Sequence, residues 1–381
     1  MKVLKVKEIE WSGVDLTSWS IVRKGGLTAS SLVAAPCLYL LTRAQASKED
    51  NSQKANAEDL RTLFEHLDNN NLDWRYLRDK DITDYIHQEL VLRRCISEES
   101  IERHISTLRG FYGFGWECGL MSTPPNFSYN YKKRNHKHQD KSSNPANFDL
   151  RSKFIDGELF KIIKSGIIAA SPYIRERNEL VISLSYFCGL RTSEVTDPRN
   201  LNTLDIKKAL ERIKKNKTHA FTINIYGKGN KLRSVDVPPQ MSNLIRNFVE
   251  GRRSSIIDGP LICSNNGSPL HKSHASNVFK DALRSAAFRA QRYLQNSPEP
   301  DNFVYHIPND SYKNLTFHCL RHTFATNLVD FCYKHGIDPW QHVPEQMGHS
   351  RLATTKIYIT FDALIHRREH IMRALEQEAH D

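Results

Sequence analysis

The sequence predicts a mainly α-helical chain of two domains with one small antiparallel β-sheet. Three observations carry that prediction. Apolar residues recur at helical spacing from about residue 55 to 120, and again through most of the chain after residue 151. One stretch, Phe221 to Val237, alternates apolar and polar residues around a Gly-Lys-Gly-Asn turn. Between the two helical regions the periodicity breaks. A length of 381 residues allows a sizeable core in each half.

Taken in order, residues 1–45 form an N-terminal segment of unknown role. Val3 to Trp11 fits a strand and Gly25-Gly26 marks a turn, but no motif appears. The apolar stretch Leu32 to Leu41 is short and contains Pro36, so it cannot span a bilayer. The polar run Ala46 to Ser52 reads as a linker into a helical domain over 46–122. There Leu60, Leu63 and Phe64 fit one amphipathic face, Ile82, Tyr85 and Ile86 another, and Ile101, Ile105, Leu108 and Tyr112 a third.

Residues 123–150 hold Pro124-Pro125, a Ser-Ser-Asn-Pro run and the basic residues Lys132, Lys133, Arg134, Lys137 and Lys141. They read as a basic interdomain linker, either simply solvated or crossing a polyanion and neutralising phosphates. A larger domain over 151–381 follows. Its prolines at 298, 300 and 308 suggest a surface insertion over about 293–314. Leu364, Ile365, Ile371, Met372 and Leu375 give the C-terminal tail an apolar face, for its own domain or for a second copy.

A formal charge of +11 spread along the chain suits a polyanionic partner, most simply nucleic acid. Seven scattered cysteines with no CxxC pair argue against both a disulfide framework and a zinc site. The sequence carries no signal peptide, which predicts a cytoplasmic protein. It has no GxxxxGK[ST] loop and no acidic cluster suited to two Mg²⁺ ions.

Chemistry concentrates in a few places. Arg191 follows Gly189 at the end of an apolar run, where an unpaired guanidinium is costly, and Glu194 three residues on can hold it. Lys228 sits between two glycines at the hairpin tip, with Lys231 and Arg233 close by. His318 and Arg321 are spaced i,i+3, so a helix points them the same way, and Thr316 is placed to cap that helix. Leu320, Phe324 and Leu328 give the helix a buried stripe. Gly348-His349 and then Tyr358 follow. A forked guanidinium, an imidazole and a phenol converging on one point suit attack on a phosphodiester.

Together, in this order and spacing, these residues closely resemble the tyrosine recombinase (phage integrase) family over about residues 150–365. Two positions depart from the usual pattern: Met347 stands where leucine is commoner, and Thr360 where many relatives have histidine. The resemblance implies a C-shaped DNA clamp of a helical core-binding domain (46–122) and a catalytic domain (151–381). It implies that Arg191, Lys228, His318, Arg321, His349 and Tyr358 are catalytic. Tyr358 would attack the scissile phosphate, His318 or a neighbour would accept its proton, and Lys228 would protonate the leaving oxygen. Lys231, Arg233 and the basic linker residues Lys132, Lys133 and Arg134 are expected to touch the DNA backbone.

The implied product is a 3′-phosphotyrosyl bond, made without metal, ATP or other cofactor. The implied partners are double-stranded DNA at specific sites and further copies of the chain, as a tetramer on that DNA. The implied use is integration or excision of a mobile element or phage. The rival readings are a type IB topoisomerase and a non-cutting DNA-binding regulator on the same fold.

Overall fold

A computed structural model describes residues 1–11, 13–25, 31–46, 50–129, 150–296, 309–349, 351–366, 368–371 and 375, without the side chains of 228 and 309–311. The chain divides into two compact units, 1–138 and 139–381. Among the described residues no helix is long and apolar enough to cross a membrane.

In the first unit an antiparallel hairpin pairs β1 (Lys2–Trp11) with β2 (Val14–Val22). Helices α1 (Ala34–Gln45), α2 (Asp50–Asn69), α3 (Asp79–Asp84) and α4 (Glu98–Glu117) follow, with a π-helical segment, Tyr85–Arg93, between the last two. The hairpin is not a separate segment. Ile21, Val33, Cys37 and Leu40 share one core with Leu60, Leu63, Ile82, Leu108 and Phe111. The Ile21 N–H donates to Cys37 Sγ and the Val33 N–H to Ile21 O, so the hairpin is stitched to α1.

The boundary expected at residue 45 therefore does not divide the core. The polar run taken for a linker already contains the start of a helix. Asp50 opens α2, and its carboxylate accepts from Trp19 Nε1 and pairs with Lys5 of the hairpin. A carboxylate in a first helical turn also complements the helix dipole, so polar composition here marks a helix start.

The second unit begins with α5 (Gly157–Ser165), α6 (Pro172–Cys188), the short α7 (Thr192–Thr196) and α8 (Thr203–Asn216). The expected hairpin joins β3 (Phe221–Tyr226) to β4 (Leu232–Val237), with Tyr226 opposite Leu232 and Phe221 opposite Val237. Ile223, Ile225, Val235 and Val237 face the core. Helices α9 (Pro239–Glu250), α10 (His274–Asn296), α11 (Phe317–His335), α12 (Pro339–Met347) and α13 (Leu352–Ile365) complete it. Most of the expected surface insertion lies outside the described residues.

Helix α6 is the centrepiece. Ser171 caps it, Pro172 opens it, and Leu180, Val181, Ile182 and Leu184 are buried around much of its circumference. It packs against α11. Thr316 is the N-cap residue of α11, its N–H bonded to Cys319 Sγ. The buried stripe of α11 runs through Leu320, Ala325, Val329 and Cys332, while Phe324 and Leu328 are only half-buried. Tail residues Ile371 and Leu375 pack on the same core as Val329 and Ile359, within their own domain; Met372 lies outside the described residues.

Gly189 ends α6 with φ +65°, and a Cβ there would lie 2.4 Å from the Phe324 ring. Gly336 ends α11 with φ +68° and open space around it. Gly336→Ala should therefore cost only the left-handed strain, about 1–2 kcal/mol. Gly189→Ala should cost roughly a further 1–3 kcal/mol for overpacking. Urea denaturation of both variants measures the difference.

Candidate active site

Of the six residues read as catalytic, Arg191, His318, Arg321 and His349 lie at helix ends or the loops beside them, Tyr358 lies in the middle of α13, and Lys228 lies at the hairpin tip. Arg191 is the N-cap residue of α7, two residues beyond Gly189, the left-handed residue that stops α6. Its N–H and its Nη1 each donate to a different oxygen of Glu194, both at 2.8 Å. Glu194 thus holds the fork as its spacing suggested.

Glu194 does more. Arg233 donates Nη1 and Nη2 to the same two oxygens, at 2.7 and 2.8 Å, and Arg321 Nη1 lies 3.9 Å away. Three guanidiniums surround one carboxylate that is 2% exposed. Burial opposes the charge on Glu194, but Arg233 and Arg191 outweigh it and hold the carboxyl at about 2. The surplus positive charge makes this a place for an anion. Arg191 is the most open of the three cations, 28% exposed against 9% for Arg233 and 2% for Arg321.

Arg233 is the clearest departure from expectation. Read as a DNA-backbone contact, it is committed inward, to Glu194 and, through Nε, to the Gln346 carbonyl at 3.0 Å. Gln346 in turn bonds the Asp236 N–H and side chain, so β4 is tied to α12. Gly227 leaves room for this: a Cβ there would meet Arg233 and Glu194 at 3.0 and 3.1 Å. The sequence held the signal, because Arg233 shares strand parity with the buried Val235 and Val237.

Arg321 is held by carbonyls at two helix ends, Gly189 of α6 and Met347 of α12. Both termini expose carbonyls that lack intrahelical partners. Burial, then Arg191, pushes the Arg321 guanidinium down to about 9, which still leaves it cationic at neutral pH.

Tyr358 lies on α13, 5% exposed, its ring stacked on His349 with centroids 5.8 Å apart. Burial pushes the phenol up to about 12 against the pull of Arg321 and Arg191. His349 is oriented by Thr355, Nδ1 to Oγ1 at 3.0 Å, and burial followed by Arg321 pushes it down to about 4.

His318 lies one turn before His322 on α11, their rings edge-on at 4.5 Å, and has no hydrogen-bond partner among the described residues. Crowding by the surrounding protein, then the charges of Arg321 and Arg191, holds it below its ordinary value although the residue as a whole is exposed. It is His322, not His318, that meets the phenol: Nδ1 is 2.8 Å from Tyr358 Oη. The sequence did hold a signal for His322, since i,i+4 spacing from His318 puts both on one helix face.

The Lys228 backbone lies at the hairpin tip, where the Gly227 N–H bonds Lys231 O at 2.8 Å. Its side chain is outside the described ones. Lys231 is exposed. Lys132, Lys133 and Arg134 fall outside the described residues.

The family model described as "Phage integrase family" matches residues 164–363, more than half of the chain. A second, "Phage integrase, N-terminal SAM-like domain", matches 39–117. The tyrosine recombinase XerC of Lacticaseibacillus casei is 26% identical over 301 residues, 79% of this chain and 84% of the relative. The tyrosine recombinase XerD of Pseudomonas aeruginosa is 23% identical over 336 residues, 87% and 90% of the two chains.

Among solved structures, the XerH site-specific recombinase in a post-cleavage complex with palindromic difH substrate matches with a TM-score of 0.55 at 19% identity. The match covers 90% of this chain and 85% of that one. A lambda integrase tetramer bound to a Holliday junction matches with a TM-score of 0.56 at 12% identity, over 85% and 76%. Both share the fold.

Glu194→Gln keeps the shape and removes the charge that offsets three guanidiniums. Because the folded carboxyl is depressed, its contribution is fully present above its ordinary value of 4.5 and fades as pH falls from there towards 2. The variant should lose roughly 3 kcal/mol at pH 7, and the gap to the native protein should close over that acid window. Equilibrium denaturation at a series of pH values checks it.

Proposed function

This chain belongs to the phage integrase family and is a tyrosine-type site-specific recombinase; from that premise we propose that Tyr358 cuts and rejoins double-stranded DNA through a 3′-phosphotyrosyl intermediate. The observation that carries the reading is the convergence of Arg191 and Arg321 around one buried carboxylate, in the same site as a buried phenol. A phosphodiester brings the anion that the surplus positive charge lacks.

In this reading Arg191 and Arg321 hold the non-bridging phosphoryl oxygens and stabilise the charge that builds there as the fifth bond to phosphorus forms. His349 adds a neutral donor to the same group. Lys228 protonates the departing 5′-oxygen. One ester replaces another, so the bond energy is retained and a different 5′-hydroxyl can reverse the step on a new strand. Arg233 anchors the hairpin that carries Lys228 to the carboxylate that holds Arg191, so the two ends of the reaction share one frame.

Tyr358→Phe should bind duplex with nearly unchanged affinity, since the ring still stacks on His349, and should form no covalent adduct. A native gel shift reads the binding, and a denaturing gel with a nicked suicide substrate reads the adduct. A surviving covalent band moves the nucleophile elsewhere.

We further propose that the chain integrates or excises a mobile element, working as a tetramer on its DNA. The match to the family model described as "Phage integrase family" supports that reading. The sequences flanking the gene in its host should contain its recombination site. Two separate duplexes carrying the junction sequences should be joined by the purified protein. Activity confined to two sites on one circle would favour resolution of multimers.

A further inference from the structure

The phenol of Tyr358 must lose its proton as it attacks, and the sequence left the acceptor open between His318 and a neighbour. The geometry is selective. His318 Nε2 and Nδ1 make no hydrogen bond among the described residues, whereas His322 Nδ1 sits 2.8 Å from Tyr358 Oη. Tyr358 Oη has no other hydrogen-bond partner among them. If Nδ1 carried a hydrogen and donated it, the phenolic O–H would be buried with nowhere to point, at a cost of about 1–3 kcal/mol. The O–H therefore donates to an unprotonated Nδ1, and the imidazole hydrogen sits on Nε2.

Resting on the reading that Tyr358 is the nucleophile, we propose that His322 Nδ1 is the catalytic proton acceptor for the phenol, and that His318 is left free to meet the phosphate. The step balances. The Oη–P bond forms as the P–O5′ bond breaks, the Oη proton passes to His322 Nδ1, and O5′ takes a proton from Lys228. In the second transfer the incoming 5′-hydroxyl returns its proton to Lys228, and His322 Nδ1–H returns its own to Oη as the phosphotyrosyl bond breaks.

The surroundings make the transfer depend on substrate. The charged and titratable groups facing His322 are His318, Lys153, Arg321, His349 and Tyr358. Burial, then His318 and Lys153, push the imidazole down to about 3, while the phenol stands near 12. In the resting site the proton stays on oxygen, and no phenolate waits to attack the wrong ester. A bound phosphodiester adds negative charge beside an imidazole otherwise facing cations. The phenolic proton also becomes far more acidic as its oxygen bonds to phosphorus. Both changes favour transfer only at the moment of attack.

The test separates the attacking side from the leaving side. His322→Asn keeps a hydrogen-bond acceptor near the Nδ1 position but cannot take a proton. It should bind duplex normally and slow single-turnover cleavage by on the order of 10²–10⁴-fold, with the residual adduct still on Tyr358. Replacing the bridging 5′-oxygen with sulfur removes the need to protonate the leaving group, since thiols are far more acidic than alcohols. That substitution should rescue Lys228→Ala and leave His322→Asn slow. Fluorinated tyrosine at 358, which gives up its proton more readily, should shrink the His322→Asn defect and leave Lys228→Ala unchanged.

Rescue of His322→Asn by sulfur, or native cleavage rates in that variant, would overturn the proposal. Loss of the adduct from Tyr358 itself would instead overturn the reading on which it rests. If His322→Asn fails to bind duplex, nitrogen NMR of the unmodified protein decides. An unprotonated His322 Nδ1 at neutral pH supports the assignment, and a protonated one refutes it.

Discussion

A single buried carboxylate, Glu194, is what the candidate site depends on. Three guanidiniums packed into a low-dielectric interior would repel one another and forfeit their hydration. Glu194 makes the arrangement tolerable by accepting from Arg191 and Arg233 at once and facing Arg321 at 3.9 Å. It offsets only part of the charge. The residue of positive charge is what an anionic ester can exploit, so stability and function pull against each other through one side chain.

Around that carboxylate the protein assembles helix ends. Arg321 draws on the carbonyls of Gly189 and Met347, Arg191 begins a helix, and His349 follows the glycine that closes another. Helix termini leave backbone groups unsatisfied, so bringing several together creates partners for charged side chains without adding polar residues to the core. Helix α11 supplies both needs. One side buries Leu320, Val329 and Cys332, and the first two turns present His318, Arg321 and His322 to the site.

Much of this was legible in the order of residues. The hairpin at 221–237 followed from strict alternation and a glycine-rich turn, and its register came out as the alternation required. Arg191 with Glu194, and His318 with Arg321, followed from helical spacing and from the cost of leaving a guanidinium alone. Where composition stood in for geometry it misled. A polar run over 46–52 suggested a linker, yet its last residues open α2 and pair with the hairpin, joining residues 1–45 to the first core. Arg233 suggested a phosphate contact because it is basic and near a loop, although its strand parity pointed inward.

What the sequence determined by itself was an inventory: the candidate residues for the chemistry, their order, and the local elements that bear them. These are properties of spacing along one helix or strand, where the periods of 3.6 and 2 fix direction. What only the tertiary structure decided was who touches whom across long separations. Arg233 meets a carboxylate 39 residues away, and the phenol of Tyr358 meets His322 rather than His318. Those two histidines lie one turn apart and share a helix face, so no local rule distinguishes them. The choice is made by how α13 packs against α11, a contact set by the apolar residues both helices bury in one core.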